Sequence, residues 1–153
     1  MFKKTIALGI SVCVFMLLYT SNVIAAQPRT VPPPHHDFVE NSIDLRSLRL
    51  LGLGDCLVIQ NGSAASVVVN GITTALFSVD ELSVRPYLQR WTGSSWVDVT
   101  SRTFKQNNTS QVEGMYSYSV SRGYYYRVKC HHSASDNGID ESIYSYSNNI
   151  LIE

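Results

Sequence analysis

Gly123-Tyr124-Tyr125-Tyr126-Arg127-Val128-Lys129-Cys130 is the stretch on which the reading of the fold turns. In a β-strand, successive side chains point to opposite faces. Tyr124, Tyr126, Val128 and Cys130 then share one face, and Tyr125, Arg127, Lys129 and His131 share the other. The first set is apolar or small; the second is amphipathic or charged. Aromatic and β-branched residues suit a pleated, half-buried surface. A strand with one dry and one wet face belongs to an antiparallel sheet. Gly123 supplies the turn that enters it.

The rest of the chain from Cys56 onward is punctuated in the same way. Cys56–Gln60 and Ser66–Asn70 are short apolar runs split by the turn signal Asn61-Gly62. Ile72–Val79 and Leu82–Trp91 read as strands, and Thr92-Gly93-Ser94-Ser95 as a hairpin turn into Trp96–Phe104. Val112–Val120 precedes the Gly-Tyr-Tyr-Tyr strand, and Asp136-Asn137-Gly138 is a turn before a last strand from Glu141. About seven strands at this spacing, with no long helical period, predict an all-β antiparallel sandwich. The predicted core face is Tyr124, Tyr126 and Val128, joined by Leu82, Val84, Leu88, Phe77 and Trp96 or Val97. Pro86 removes a ladder donor, which predicts a bulge or an edge position.

Ahead of this domain the composition changes. Lys3 and Lys4, an apolar run from Ile6 to Tyr19, and small residues at Ala25 and Ala26 predict a secretory signal over residues 1–26. The run is shorter than the roughly 20 residues that span a bilayer, so cleavage and a secreted, membrane-free product are expected. Residues 27–54, with Pro28, Pro32, Pro33 and Pro34, read as an extended linker and N-terminal extension, and residues 55–153 as the sandwich. Lys and Arg total 12 and so do Asp and Glu, which leaves no electrostatic reason for nucleic acid or acidic membrane as partner. Cys13 leaves with the signal. Cys56 and Cys130 remain as an even pair in an exported chain and predict a disulfide; the competing reading is two buried free thiols. A bridge needs Cα atoms within about 7 Å, so ordered structure is expected to begin just before Cys56.

Tyr124-x-Tyr126-x-Val128-x-Cys130 resembles strand F of fibronectin type III and related immunoglobulin-like sandwiches, in which a tyrosine bonds back to the backbone. By that resemblance Tyr124 is the corner residue. Glu141-Ser-Ile-Tyr-Ser-Tyr-Ser-Asn-Asn-Ile-Leu-Ile152 resembles the serine-rich strand G that closes such domains. Two combined motifs extend the comparison. One is Tyr87-Leu-Gln-Arg-Trp91, Thr-Gly-Ser-Ser, Trp96-Val-Asp-Val99; the other is Gly123–Val128 with the following His131 and the late Glu141-Ser142. Together they resemble a family of small uncharacterised proteins exported by Gram-positive, spore-forming bacteria, over roughly Ile72–Glu153. The resemblance implies no activity.

Catalytic patterns are absent from the sequence. There is no Gly-x-Ser-x-Gly elbow and no Cys–His protease signature. His131-His132 beside Asp136, Asp140 and Glu141 is the most metal-like cluster, but neighbours on a strand point to opposite faces. Asp136-Asn137-Gly138 lacks the spaced oxygen ligands of a calcium loop, and His35-His36-Asp37 sits in the linker. No cofactor or metal is expected, nor an enzyme. With Leu82, Val84 and Leu88 inward, Arg85, Tyr87, Gln89 and Trp91 face outward beside Tyr125, Arg127 and Lys129. Aromatic and arginine side chains dominate binding energetics. Arg85, Tyr87, Trp91, Tyr125 and Arg127 are therefore the candidate binding residues. The competing reading is an ordinary outer sheet whose rings stack on each other and on arginine stems. The expected function is a secreted, non-catalytic module for a cell-wall polysaccharide or a surface protein. A secreted antagonist or toxin is the alternative, followed by a metal-dependent hydrolase at His131 or His132.

Overall fold

The computed structural model describes residues 29–34 and 48–153. The signal segment and His35-His36-Asp37 lie outside the described residues. Among the described residues seven strands follow one another: β1 (Leu51–Gln60), β2 (Ser66–Trp91), β3 (Trp96–Ser101), β4 (Phe104–Ser119), β5 (Tyr125–Asp136), β6 (Ile139–Tyr146) and β7 (Ile150–Leu151). Every pairing is antiparallel. The fold is all-β, built as one curled sheet.

β2 is its spine. The three predicted segments Ser66–Asn70, Ile72–Val79 and Leu82–Trp91 join into one strand of 26 residues. β4 and then β3 line one of its edges, while β1 and then β5 line the other; β5 in turn carries β6 and β7. The ladder slips midway. β2 runs from Thr74 to Val79 while β4 moves only from Gln111 to Thr109. The surplus residues bulge, which bends a strand and increases its twist. Before the bend Val67, Val69, Thr73 and Ala75 face inward; after it Leu82, Val84 and Leu88 do. The inward parity therefore changes from odd to even positions. Phe77 continues the odd series and was expected in the core, but it lies on the bend and is 48 % exposed, with Leu76 and Ser78 exposed beside it.

The bend folds one half of the sheet over the other, and the core fills the space between. Burial of Val67, Val69, Val79, Leu82, Val84, Leu88, Val112, Tyr126 and Val128 is essentially complete. At roughly 1.5–3 kcal/mol per large apolar side chain, this burial is the main favourable contribution. Two glycines set how closely the halves approach. Gly71 pairs with Cys56 on one side and with Gly114 on the other, so this inward row carries almost no side chain. A Cβ at Gly71 would lie 2.8 Å from Val84 Cγ2 and 2.9 Å from both Cys130 Sγ and Pro86 Cγ, all on the facing half. A Cβ at Gly54 would lie 2.7 Å from His132 Cγ.

Several expectations need correcting. Pro86 is neither at an edge nor in a bulge: it is buried in the central strand and pairs with Cys130. It falls opposite the break between β3 and β4, where the flank has no continuous ladder to complete. Trp96 and Val97 are not core either. Trp96 packs on the outer face against Trp91, at 5.4 Å between ring centroids, and Val97 is 38 % exposed. The tyrosine that bonds back to the backbone is Tyr126, not Tyr124. Its hydroxyl donates to Ser121 O at 3.2 Å and accepts from Ser121 N–H at 3.1 Å. Tyr124 instead lies under the guanidinium groups of Arg29 and Arg90.

The N-terminal extension is part of the packing. β1 starts at Leu51, with Leu50 and Leu51 buried, ahead of the expected start at Cys56. The segment 29–34 lies against the domain: Arg29 N–H donates to Gly123 O and Trp91 Nε1–H to Val31 O. At the other end, Asn137 and Gly138 both take positive φ, the conformation of a two-residue hairpin turn, as Asn-Gly predicts.

Candidate functional site

The outer face of the β3–β2–β5–β6 region is an ordered array of rings and cations. Pairing places Gln89 between Asp98 and Arg127, Tyr87 beside Lys129 and Tyr146, and Arg85 beside His131 and Tyr144. Each row is a set of cross-strand neighbours, the contacts that stabilise a sheet face. Arg127 lies between the rings of Trp96 at 4.4 Å and Tyr146 at 4.8 Å, and its Nε–H donates to Gln89 Oε1 at 2.8 Å. Gln89 passes the contact on, donating from Nε2 to Asp98 Oδ1 at 2.7 Å. Burial draws the Arg127 pKa below its ordinary value, opposed by Tyr146 and Asp98. Lys129 Nζ sits 4.7 Å from the Tyr87 ring and 5.9 Å from that of Tyr144. Arg85 covers Tyr87 and bonds to Ser101. Burial, then Arg85 and Lys129, hold His131 below the usual imidazole range, and its ring leans on Tyr144 at 4.8 Å.

The five candidate residues do not share one role here. Arg85 is exposed, and Tyr87 and Tyr125 are half-buried. Trp91 at 6 % and Arg127 at 8 % exposure are buried beneath neighbours on the outer face. Period-2 reasoning placed them on the correct side but does not tell how much Trp96, Tyr146 and the segment at Val31 cover them. On this face the exposed rings are Tyr144 at 55 % and Tyr146 at 43 %. Sequence reasoning treated them only as part of a serine-rich strand; their alternation in Tyr144-Ser145-Tyr146 was the signal that they share a face.

A second constellation lies inside. His132 faces inward, opposite to His131, and is fully buried. Its Nδ1 is 2.7 Å from Thr73 Oγ1, and its Nε2 is 2.7 Å from Ser145 Oγ. Thr73 in turn donates to Ser83 O, and Ser145 Oγ is 3.4 Å from Cys56 Sγ. Cys56 and Cys130 are free thiols in this structure, both buried. The Cys130 contact draws the Cys56 pKa down, whereas burial pushes Cys130 up. Both imidazole nitrogens face a hydroxyl, which can donate or accept. Thr73 gives its proton to Ser83 O, so a neutral His132 donates from Nδ1–H to Thr73 Oγ1 and accepts at Nε2 from Ser145 Oγ–H. Among the described residues no three His, Cys, Asp or Glu side chains are placed to hold a metal ion.

β1, which carries Cys56, is anchored by Glu141. Its carboxylate accepts from the N–H groups of Arg49 at 2.7 Å, Leu50 at 2.8 Å and Leu51 at 3.1 Å. Burial pushes the Glu141 pKa up, but these three donors together outweigh it and hold the group below the usual carboxylate range.

The buried histidine predicts a pH dependence. Burial pushes His132 from 6.5 down to about 4. Between these values the unfolded chain binds a proton that the folded one refuses. Stability should therefore fall as pH drops from about 6.5 towards 4, by about 3 kcal/mol at full extent. Urea unfolding from pH 7 to pH 4 checks this. His132→Gln should show a flatter dependence over that window, and an unchanged slope would remove His132 as its source.

Comparison with known proteins adds a family but no activity. None of the curated proteins matches the chain. Among solved structures it is similar to Spo0M, a sporulation control protein from Bacillus subtilis, with 9% identity and a TM-score of 0.34. That match covers 63% of this chain and 49% of the other, so the chain spans about half of Spo0M, and a likeness this slight carries no argument. The family match is broader, taking in β1 to β6 and the start of β7. From residue 45 to residue 150 the chain matches the family model DUF6147, and it belongs to that family of unknown function.

Proposed function

We propose that this protein is an exported, non-catalytic binding module, and that the outer face centred on β5 and β6 holds a cell-surface polysaccharide. One observation carries the reading: Tyr144 and Tyr146 expose their rings from the same face of β6, each with a cation close to it. Residues two apart on a strand stand about 7 Å apart. Flat rings at such spacing suit the apolar faces of successive sugars, and Arg85, Lys129 and Asp98 supply polar groups around them. Pinning by Arg127 and Lys129 limits the rotamer freedom that binding would otherwise cost. The lysine–apolar–alanine order of residues 1–26 supports export.

Binding of the protein to insoluble peptidoglycan and to soluble wall polysaccharides tests the reading. The wild type should bind at least one of them. Tyr144→Ala together with Tyr146→Ala should weaken binding by at least roughly tenfold, because aromatic anchors carry ~1–2 kcal/mol or more each. The melting temperature should change little, since both rings are exposed. A wild type that binds no glycan, or a double variant that binds as the wild type does, overturns the proposal. Retention on a surface protein alone would reassign the face to a protein partner.

A further inference from the structure

We propose that Cys56 and Cys130 are an oxidisable pair that closes to a disulfide, stapling β1 to β5 across the two halves of the sheet. The two strands share no backbone ladder: β1 pairs with β2, and β5 with β2, β6 and β7. Cys56 and Cys130 nonetheless meet between the halves, because Gly71, the cross-strand partner of Cys56, carries no side chain. A Cβ there would lie 2.9 Å from Cys130 Sγ. What holds Cys56 across this gap now is weak: Sγ contacts at 3.4 Å to Val128 O and at 3.4 Å to Ser145 Oγ. A covalent bond would replace them at the point where β1 crosses the facing half.

The chemistry is thiol–disulfide exchange with an external disulfide as oxidant. Cys56 thiolate attacks one sulfur of that disulfide and expels the other as a thiolate, which leaves a mixed disulfide on Cys56. Cys130 thiolate then attacks Cys56 Sγ and expels the second thiol. Two electrons pass from the pair to the oxidant, and the two thiol protons pass to solvent and the departing thiolates. Cys130 is wholly enclosed and Cys56 is the more accessible of the two, which makes Cys56 the first attacker. Both sulfurs are buried, with Cys56 5 % and Cys130 0 % exposed. An oxidant therefore reaches them before β1 docks or when it lifts, so oxidation accompanies folding in a compartment that supplies disulfides.

The test reads sulfur and stability, not glycan binding, so its outcome is independent of the function proposed above. The protein is unfolded under reducing conditions and refolded in a mixture of reduced and oxidised glutathione. It is then denatured and alkylated. No alkylation, a mass lighter than the reduced chain by the two thiol hydrogens, and a peptide joining Cys56 to Cys130 are expected. Reductant should lower the melting temperature by on the order of 10 °C or more, and the Cys56→Ser, Cys130→Ser double variant should not respond to it. Two alkylatable thiols after refolding, a glutathione adduct on either cysteine, or a melting temperature indifferent to reductant each overturns the proposal.

Discussion

Gly71→Ala should remove much of the stability of the domain, on the order of 3 kcal/mol or more. The added methyl meets Val84 Cγ2, Cys130 Sγ and Pro86 Cγ, all within 3 Å and all on the facing half of the sheet. None of these atoms is the far end of a long flexible chain. Relief thus requires the halves to separate, and with them the core between Val67, Val69, Leu88 and Val128. Overpacking a core costs typically ~1–3 kcal/mol and occasionally more. Gly52→Ala is the control. Its Cβ would meet Leu76 Cδ2 at 3.3 Å and Thr74 O at 3.4 Å near the edge of the sheet, and the change should cost below about 1 kcal/mol. Equilibrium urea unfolding of both variants decides it: equal midpoints would mean that the two halves do not close against one another at Gly71.

Tyr126→Ala should destabilise by about 3–5 kcal/mol, a large part of the roughly 5–15 kcal/mol that a domain commonly has. The residue is 2 % exposed and is the largest fully buried side chain. Truncation empties its volume and removes both hydrogen bonds that tie Ser121 to the start of β5. Tyr126→Phe isolates the hydroxyl. It should cost about 1–2 kcal/mol, because Ser121 N–H and O lose their partner in a half-buried place. Tyr125→Ala, on the opposite face and only half-buried, should cost below about 1 kcal/mol. Thermal melts of the three variants separate these cases. If Tyr125→Ala and Tyr126→Ala melt together, the register of β5 is off by one residue, and every face assigned along it is reversed.

Local pattern settled a good deal of this molecule. Alternation in Tyr124–Cys130 determined the faces of β5, since a strand's side chains obey a strict period of two whatever surrounds them. The same rule placed Leu82, Val84 and Leu88 inside and set His131 and His132 on opposite faces. Turn chemistry determined the Asn137-Gly138 hairpin, because few residues other than Gly and Asn accept positive φ readily. Other features depended on partners distant in sequence. The bulge that exposes Phe77 arises from a mismatch between β2 and β4, and nothing within Ile72–Val79 announces it. Burial of Trp91 and Arg127 on the outer side depends on Trp96, Tyr146 and the segment at Val31, which arrive from other parts of the chain. Tyr126, not Tyr124, is the tyrosine tied to Ser121, while Tyr124 lies under Arg29 and Arg90, both far from it in sequence. The chain of hydrogen bonds from Thr73 through His132 and Ser145 to Cys56 joins four strands. Periodicity speaks for one strand at a time, so only the closing of the folded sheet brings these four side chains together.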